Sequence, residues 1–302
     1  MLSSRRRLVS MHHLRLGLAA AVALCLAAPI SASAATTRYA SPTGGTAPCL
    51  QTSPCSLENA LSNAEGLANG DTVLLAPGTY HPIAQLNVFR VNVTISGEPG
   101  KAPPLIEAGG ERGLLDQNVA TIRDLRIYSS STTTYGLVLT RTGTVVERVE
   151  STGEAAQACA FNDLTVRDTL CATTALGGAA LTSTLSAGVP IIQELNLFNV
   201  TAIGAFGIDV VTNESATIKV DAVNTIFHGS ESDVGAESQA PPTSNVEIEL
   251  SHSNFATIAA AGARWSRCRT KTATRKRRPP LSMQPAATTA RRKVRRRGSP
   301  AT

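Results

Sequence analysis

Beyond residue 35 the chain has no long helical periodicity; short β-branched runs end at Asn, Asp, Gly or Ser, the signature of strands closed by turns. Aligning those ends exposes a repeat. The segments VATIRDLRI, TVVERVES, LTVRDTLC, LNLFNVTA, VDAVNTIF and LSHSNFAT place Asp124, Arg148, Asp168, Asn199, Asn224 and Asn254 in one column, at spacings of 24, 20, 31, 25 and 30 residues. Two positions earlier stand Ile122, Val146, Val166, Leu197, Ala222 and His252, and four earlier Ala120, Thr144, Leu164, Leu195, Val220 and Leu250. One position later come Leu125, Val149, Thr169, Val200, Thr225 and Phe255. Side chains alternate across a strand, so the apolar columns at even offsets point one way, and a polar corner lets the next apolar residue point inward again. A second short strand follows the corner, as at 136–139 and 207–210. Coils of two or three short strands stacked on one another make a parallel β-helix. A sandwich fits less well, because hairpin meanders do not hold one column in register over successive units. The expected fold is therefore all-β, a parallel β-helix over residues 35–260.

The segment Arg38 to Tyr80 carries Tyr39, Ser41, Pro42, Cys49, Pro54, Cys55, Gly70-Asp71-Thr72-Val73 and Pro77-Gly78-Thr79-Tyr80. In that order these resemble the opening of bacterial secreted right-handed parallel β-helix proteins of the pectate-lyase-like superfamily. The resemblance implies a right-handed solenoid and a short helix over residues 56–67 that closes its N-terminal end against edge pairing.

Residues 1–34 read as a cleaved Sec-type signal peptide: Arg5, Arg6, Arg7 and Arg15 precede the apolar run Leu16 to Leu26, and Ala32-Ser33-Ala34 supplies the cleavage site. That run is shorter than the ~20 residues that span a bilayer, so no transmembrane anchor is expected in the mature chain. Export implies an oxidising compartment in which Cys49 and Cys55, close in sequence, pair. Cys159 and Cys171 fit either a second disulfide or two thiols buried in the core, and Cys268 is left over.

Charge divides the chain. Residues 35–260 hold 10 Lys+Arg against all 22 acids, a net −12, whereas residues 261–302 hold 14 Lys+Arg and no acid. An acidic domain in which aromatics are 4% of the chain, with its one Trp in the basic stretch at Trp265, disfavours nucleic acid as a partner. Two readings of 261–302 stay open. One is a disordered basic tail for an anionic polymer or a membrane. The other is a shift of reading frame near residue 260: read from the third base of each codon, the back-translated sequence permits a valine-rich strand, a Gly-Asn turn and a Phe-Asp-Ala-containing run. That string resembles the closing segment of secreted β-helix proteins of the choice-of-anchor kind.

Chemistry is more faintly written. The superfamily resemblance brings in polysaccharide lyases, which remove a proton next to a uronate with a Lys, Arg or His base, aided by Ca²⁺ or basic residues. In the outward columns Asp163, Glu194, Lys219, Asp221 and Glu249 would form one patch, with Lys219 as the candidate base and the acids as a binding surface or Ca²⁺ site. Alternating charge is also the ordinary state of a solvated strand face. Glycoside hydrolysis would need paired carboxylates, and no Asp-Asp or comparable cluster is present in the sequence. His228 and His252 stand isolated. A net −12 repels a polyuronate. The sequence thus favours a secreted, monomeric, cofactor-free β-helix that binds a polysaccharide or cell-envelope component without turning it over. A lyase acting on an anionic glycan, with Ca²⁺, is the alternative.

A β-helix that stops near residue 257 exposes an unpaired edge and a cut apolar column, which like charges cannot cover. The chain as written is expected to unfold at a lower temperature than one carrying the frame-shifted segment. An intact frame through codon 302 with equal unfolding temperatures would remove that reading.

Overall fold

A computed structural model describes residues 35–109, 113–239 and 243–261. The expected signal segment and the basic stretch beyond residue 261 lie outside the described residues. The expected apolar column is a ladder of parallel pairs: Ile122 to Val146, Val146 to Val166, and Val166 to Leu197. It runs back through Ile95 and Val73 to Arg38 and forward through Ala222 to Leu250. Ile122, Val146, Val166 and Leu197 are fully buried. A second ladder follows the corner, through Tyr80, Ile106, Ile127, Ser151, Cys171, Ala202 and Phe227. A third closes each coil, through Leu86, Leu114, Leu137, Cys159, Leu181, Ile208, Val234 and Ile258. The result is an all-β parallel solenoid with three faces around one apolar interior. The strands Ala179–Phe198 and Thr201–Val223 are long enough to bend from one face to the next.

The corner between first and second faces is made by backbone that ordinary L-residues avoid. Asp124, Arg148, Asp168, Asn199 and Asn224 all have φ between 50 and 56°, a left-handed conformation that Asn and Asp tolerate through local hydrogen bonding. Their side chains stack as the strands do. Asn224 Nδ2 donates to Asn199 Oδ1 at 2.7 Å, and Asn199 Nδ2 to Asp168 Oδ1 at 2.8 Å. Arg148 is the outlier by residue type, and its guanidinium is held by Asp124 through Nε at 2.6 Å and Nη2 at 3.0 Å.

The last coil departs from the sequence alignment by two residues. Leu250 pairs with Ala222 and Ile248 with Val220, so His252 (φ 53°) occupies the corner and Asn254 forms a bridge to Ile226. Aligning on the asparagine would have put His252 in the interior. The apolar run Val246, Ile248 and Leu250, each at most 3% exposed, fixes the register instead, and histidine is among the residues that enter left-handed backbone more readily than most.

The N-terminal helix is also shorter than expected. It spans Leu57–Ala60, with the Ser56 hydroxyl accepting from the Asn59 N–H. Ser62, Asn63 and Gly66 (φ 95°) then turn the chain, yet Leu61 and Leu67 remain buried with Leu57 and Ala60. The apolar spacing there records burial rather than helix. At the head of the first ladder Arg38 lies almost wholly buried; its Nε donates to Ala60 O at 3.0 Å and its Nη2 to Asn59 O at 3.1 Å and Cys49 Sγ at 3.2 Å. Both cysteine pairs are disulfides, Cys49–Cys55 and Cys159–Cys171. The second crosses the interior, from the third face of one coil to the second face of the next.

Asp116 interrupts the apolar third face. It sits between Val88 and Leu139 in an inward column and is fully buried. Its Oδ1 accepts the Asn118 N–H at 2.8 Å, while Oδ2 has no partner among the described residues. Burial disfavours the anion and pushes the carboxyl from 3.8 up to about 6, against the smaller pull of the Asn118 N–H.

Two outcomes follow from these ladders. Because the folded-state pKa of Asp116 is raised, its contribution to stability is full below the unfolded carboxylate range and is lost as pH rises through about 6. Denaturant unfolding of wild type and Asp116→Asn should therefore diverge as pH rises from 4 to 7, the variant gaining about 3 kcal/mol at ~1.4 kcal/mol per unit. Parallel pH curves would show that Asp116 is solvated. At the corner, Asn224→Val should destabilise by about 1–2 kcal/mol more than Asn224→Gly, since only glycine enters left-handed backbone freely; equal losses would mean that the hydrogen-bond ladder alone matters.

Candidate functional site

The first face separates the residues expected to form one acidic patch. Glu194 neighbours Lys219 and Lys219 neighbours Glu247 in one outward column. Asn196, Asp221 and Glu249 follow one another in the next. The two-residue shift of the last coil places Glu249 beside Asp221 instead of Lys219, and brings in Glu247, which the alignment missed. Reading Val246, Ile248 and Leu250 as the inward alternation would have found it. Asp163 stands at the corner entering this face, with φ 56°. Its Oδ1 accepts the Glu194 N–H at 3.1 Å and its Oδ2 the Thr142 hydroxyl, so this carboxylate is engaged in holding the turn. Glu194, Asp221 and Glu249 are exposed, and Lys219 and Glu247 half-buried. Among the described residues no group of three His, Cys, Asp or Glu side chains is placed to hold a metal ion. What remains on this face is a cation between two carboxylates across the strands, an arrangement that supports strand pairing.

The third face presents a concave surface. Asn87, Leu115, Val138, Ala160 and Thr182 form one outward column in register. Phe89, Gln117, Thr140, Asn162 and Thr184 stand two positions further along the chain, the first four just past the ends of their strands. Three hollows lie over them. One of about 410 Å³ between the N-terminal helix region and the third face shares Asn87 and Phe89 with a second of about 150 Å³. The second shares Leu115 and Gln117 with a third of about 320 Å³. Together they form a trough along the solenoid axis, with Val138 and Ala160 among the short side chains that line it. At ~4.8 Å per coil, the five coils from Phe89 to Thr184 cover about 19 Å.

Sequence reasoning passed over this trough, although Gln117, Thr140, Asn162 and Thr184 recur at 23, 22 and 22 residues. Several of its polar groups are fixed from within. The Thr182 hydroxyl donates to Gln157 Oε1 at 2.5 Å, and Asn162 Oδ1 accepts the Thr184 N–H at 3.1 Å and the Ser183 hydroxyl at 3.3 Å. The Nε2 group of Gln157 and the Nδ2 group of Asn162 have no hydrogen-bond partner among the described residues. Arg141 borders the narrow middle hollow and donates through Nε to Gln117 O at 2.6 Å.

Acidic groups appear further along the same face. Asp209 follows Thr182 in its column, and Glu237 follows Val211 in the next. Burial, with Glu237 adding to it, pushes the Asp209 carboxyl above the usual carboxylate range. Asp233 is held below that range: burial pushes it up, but the N–H groups of Gly229, Ala256 and Thr257 together with His228 outweigh it. Its Oδ1 accepts Gly229 N–H at 2.8 Å and its Oδ2 Thr257 N–H at 2.9 Å, which ties the last coil to its neighbour. His228 lies 3.9 Å from that carboxylate and is exposed.

No protein-family profile matches the chain, and no curated protein matches it. Among solved structures, the crystal structure of pectate lyase Pel9A is similar at a TM-score of 0.38 and 10% sequence identity, over 76% of this chain and 74% of that one. The fold itself rests on the parallel ladders of this chain.

Proposed function

We propose that the protein is an extracellular, non-catalytic β-solenoid, acting as a single chain, whose outer face binds carbohydrate or another surface component. The observation that carries this reading is the continuous trough on the third face, where four successive coils place a polar side chain, Gln117, Thr140, Asn162 and Thr184, at the same outward position. A repeating surface of this kind suits a repeating ligand. Two disulfides fit an oxidising compartment. The alternative, β-elimination on an anionic glycan, would depend on Lys219, which stands outside the trough between Glu194 and Glu247.

Pull-down on insoluble polysaccharides and cell-envelope fractions, paired with an absorbance assay for unsaturated uronate, tests the reading. Retention on at least one such material without any rise in absorbance on pectate, alginate or chondroitin is expected, with or without Ca²⁺. A Ca²⁺-dependent rise that disappears in Lys219→Ala would reverse it in favour of a lyase.

A further inference from the structure

Resting on that reading, we infer that the third-face trough binds a neutral glycan chain laid parallel to the solenoid axis, without a metal ion. Charge decides the ligand class. The stretch of the trough from Leu115 to Thr184 is lined, among the described residues, by amides, hydroxyls, Tyr135 and small apolar side chains, with no charged residue; the one charged side chain lining the hollow at the Phe89 end, among the described residues, is an acid, Glu58. Among the described residues, the cation that lines the adjoining middle hollow, Arg141, is already bonded to the Gln117 carbonyl. Past its far end come Asp209 and Glu237. A polyuronate would meet no counter-charge in the stretch and repulsion at its end; a neutral sugar chain loses nothing there.

Geometry decides the orientation. The outward positions repeat once per coil at ~4.8 Å, close to the length of one pyranose unit, so a chain running along the axis meets a side chain at the same two positions with each sugar, and from Leu115 to Asn162 these are one apolar and one polar. Gln157 and Asn162 have their carbonyl ends held by Thr182, Ser183 and Thr184. Their amide N–H groups are thereby oriented before any ligand arrives, which lowers the ordering cost of binding. Val138 and Ala160 give the C–H faces of the sugars an apolar floor. At the other end Phe89, 64% exposed, offers a ring face large enough for a sugar to stack on.

Calorimetric titration of the intact mature chain with cello-, xylo- and chito-oligosaccharides of increasing length, against polygalacturonate oligomers and in the presence of EDTA, tests this. At least one neutral series should bind, tighten with length until the trough is filled, and ignore EDTA. Gln157→Ala or Asn162→Ala should weaken it about three- to tenfold, the loss of one or two neutral hydrogen bonds. Phe89→Ala, at an exposed position that leaves the core intact, should do the same, and Asp221→Asn on the first face should have no effect; unfolding curves of each variant separate lost binding from lost fold. Preference for the anionic oligomers, or binding abolished by EDTA, would overturn the neutral-ligand inference and leave carbohydrate binding standing. Neutral binding untouched by all three trough variants would overturn its location. No binding to any carbohydrate would overturn the inference, and retention on a non-carbohydrate envelope fraction would then preserve the broader reading.

Discussion

The structure depends on one requirement: every inward side chain must meet its counterpart in the coil above and the coil below. A single parallel strand buries little by itself. Stacked coils share one interior, and a slip of one residue would turn an entire column from core to solvent. The corner residues enforce that register. With Asp168, Asn199 and Asn224 joined side chain to side chain outside the same turn whose neighbours Val166, Leu197 and Ala222 stack inside it, the polar and apolar ladders specify the same alignment. Agreement between local backbone preference and distant packing of this kind selects one fold over its near neighbours.

Where those two signals coincide, the sequence was legible. The stack of Ile122, Val146, Val166 and Leu197 could be read because each unit carries the apolar alternation and all but the Arg148 unit carry a corner residue suited to left-handed backbone. Where they disagree, packing prevails. Asn254 is the better corner residue by type, but Leu250 and Ile248 are the better core residues, and the corner falls on His252. The same ranking explains the short helix: Leu57, Ala60, Leu61 and Leu67 announce burial, while Ser62, Asn63 and Gly66 decide the backbone. The trough was hidden for a different reason. Outward positions are not constrained by packing, so Gln117, Thr140 and Asn162 share chemistry without sharing a residue type, and no column search based on hydrophobicity would select them.

The faces consequently differ in electrostatic character although they are built alike. The first carries opposite charges set side by side, with Lys219 between Glu194 and Glu247. The third is neutral over several coils and acidic beyond them. An overall charge of +6 for the full chain describes neither surface, since a ligand approaching within a Debye length responds to the local side chains.

The disulfide between Cys159 and Cys171 has a mechanical meaning. A solenoid pulled from its end does not break everywhere at once; coils peel from the terminus in turn, each shielding the next, because each contacts only its neighbours. A covalent tie between the third face of one coil and the second face of the next interrupts that sequence. Peeling from the C-terminal side can run back to Cys171, and peeling from the N-terminal side can run forward to Cys159. The residues between them cannot be drawn out without breaking a bond; tension reaching one cysteine passes through the sulfurs to the other, so this loop stays closed and the length that pulling can extract is shortened by it.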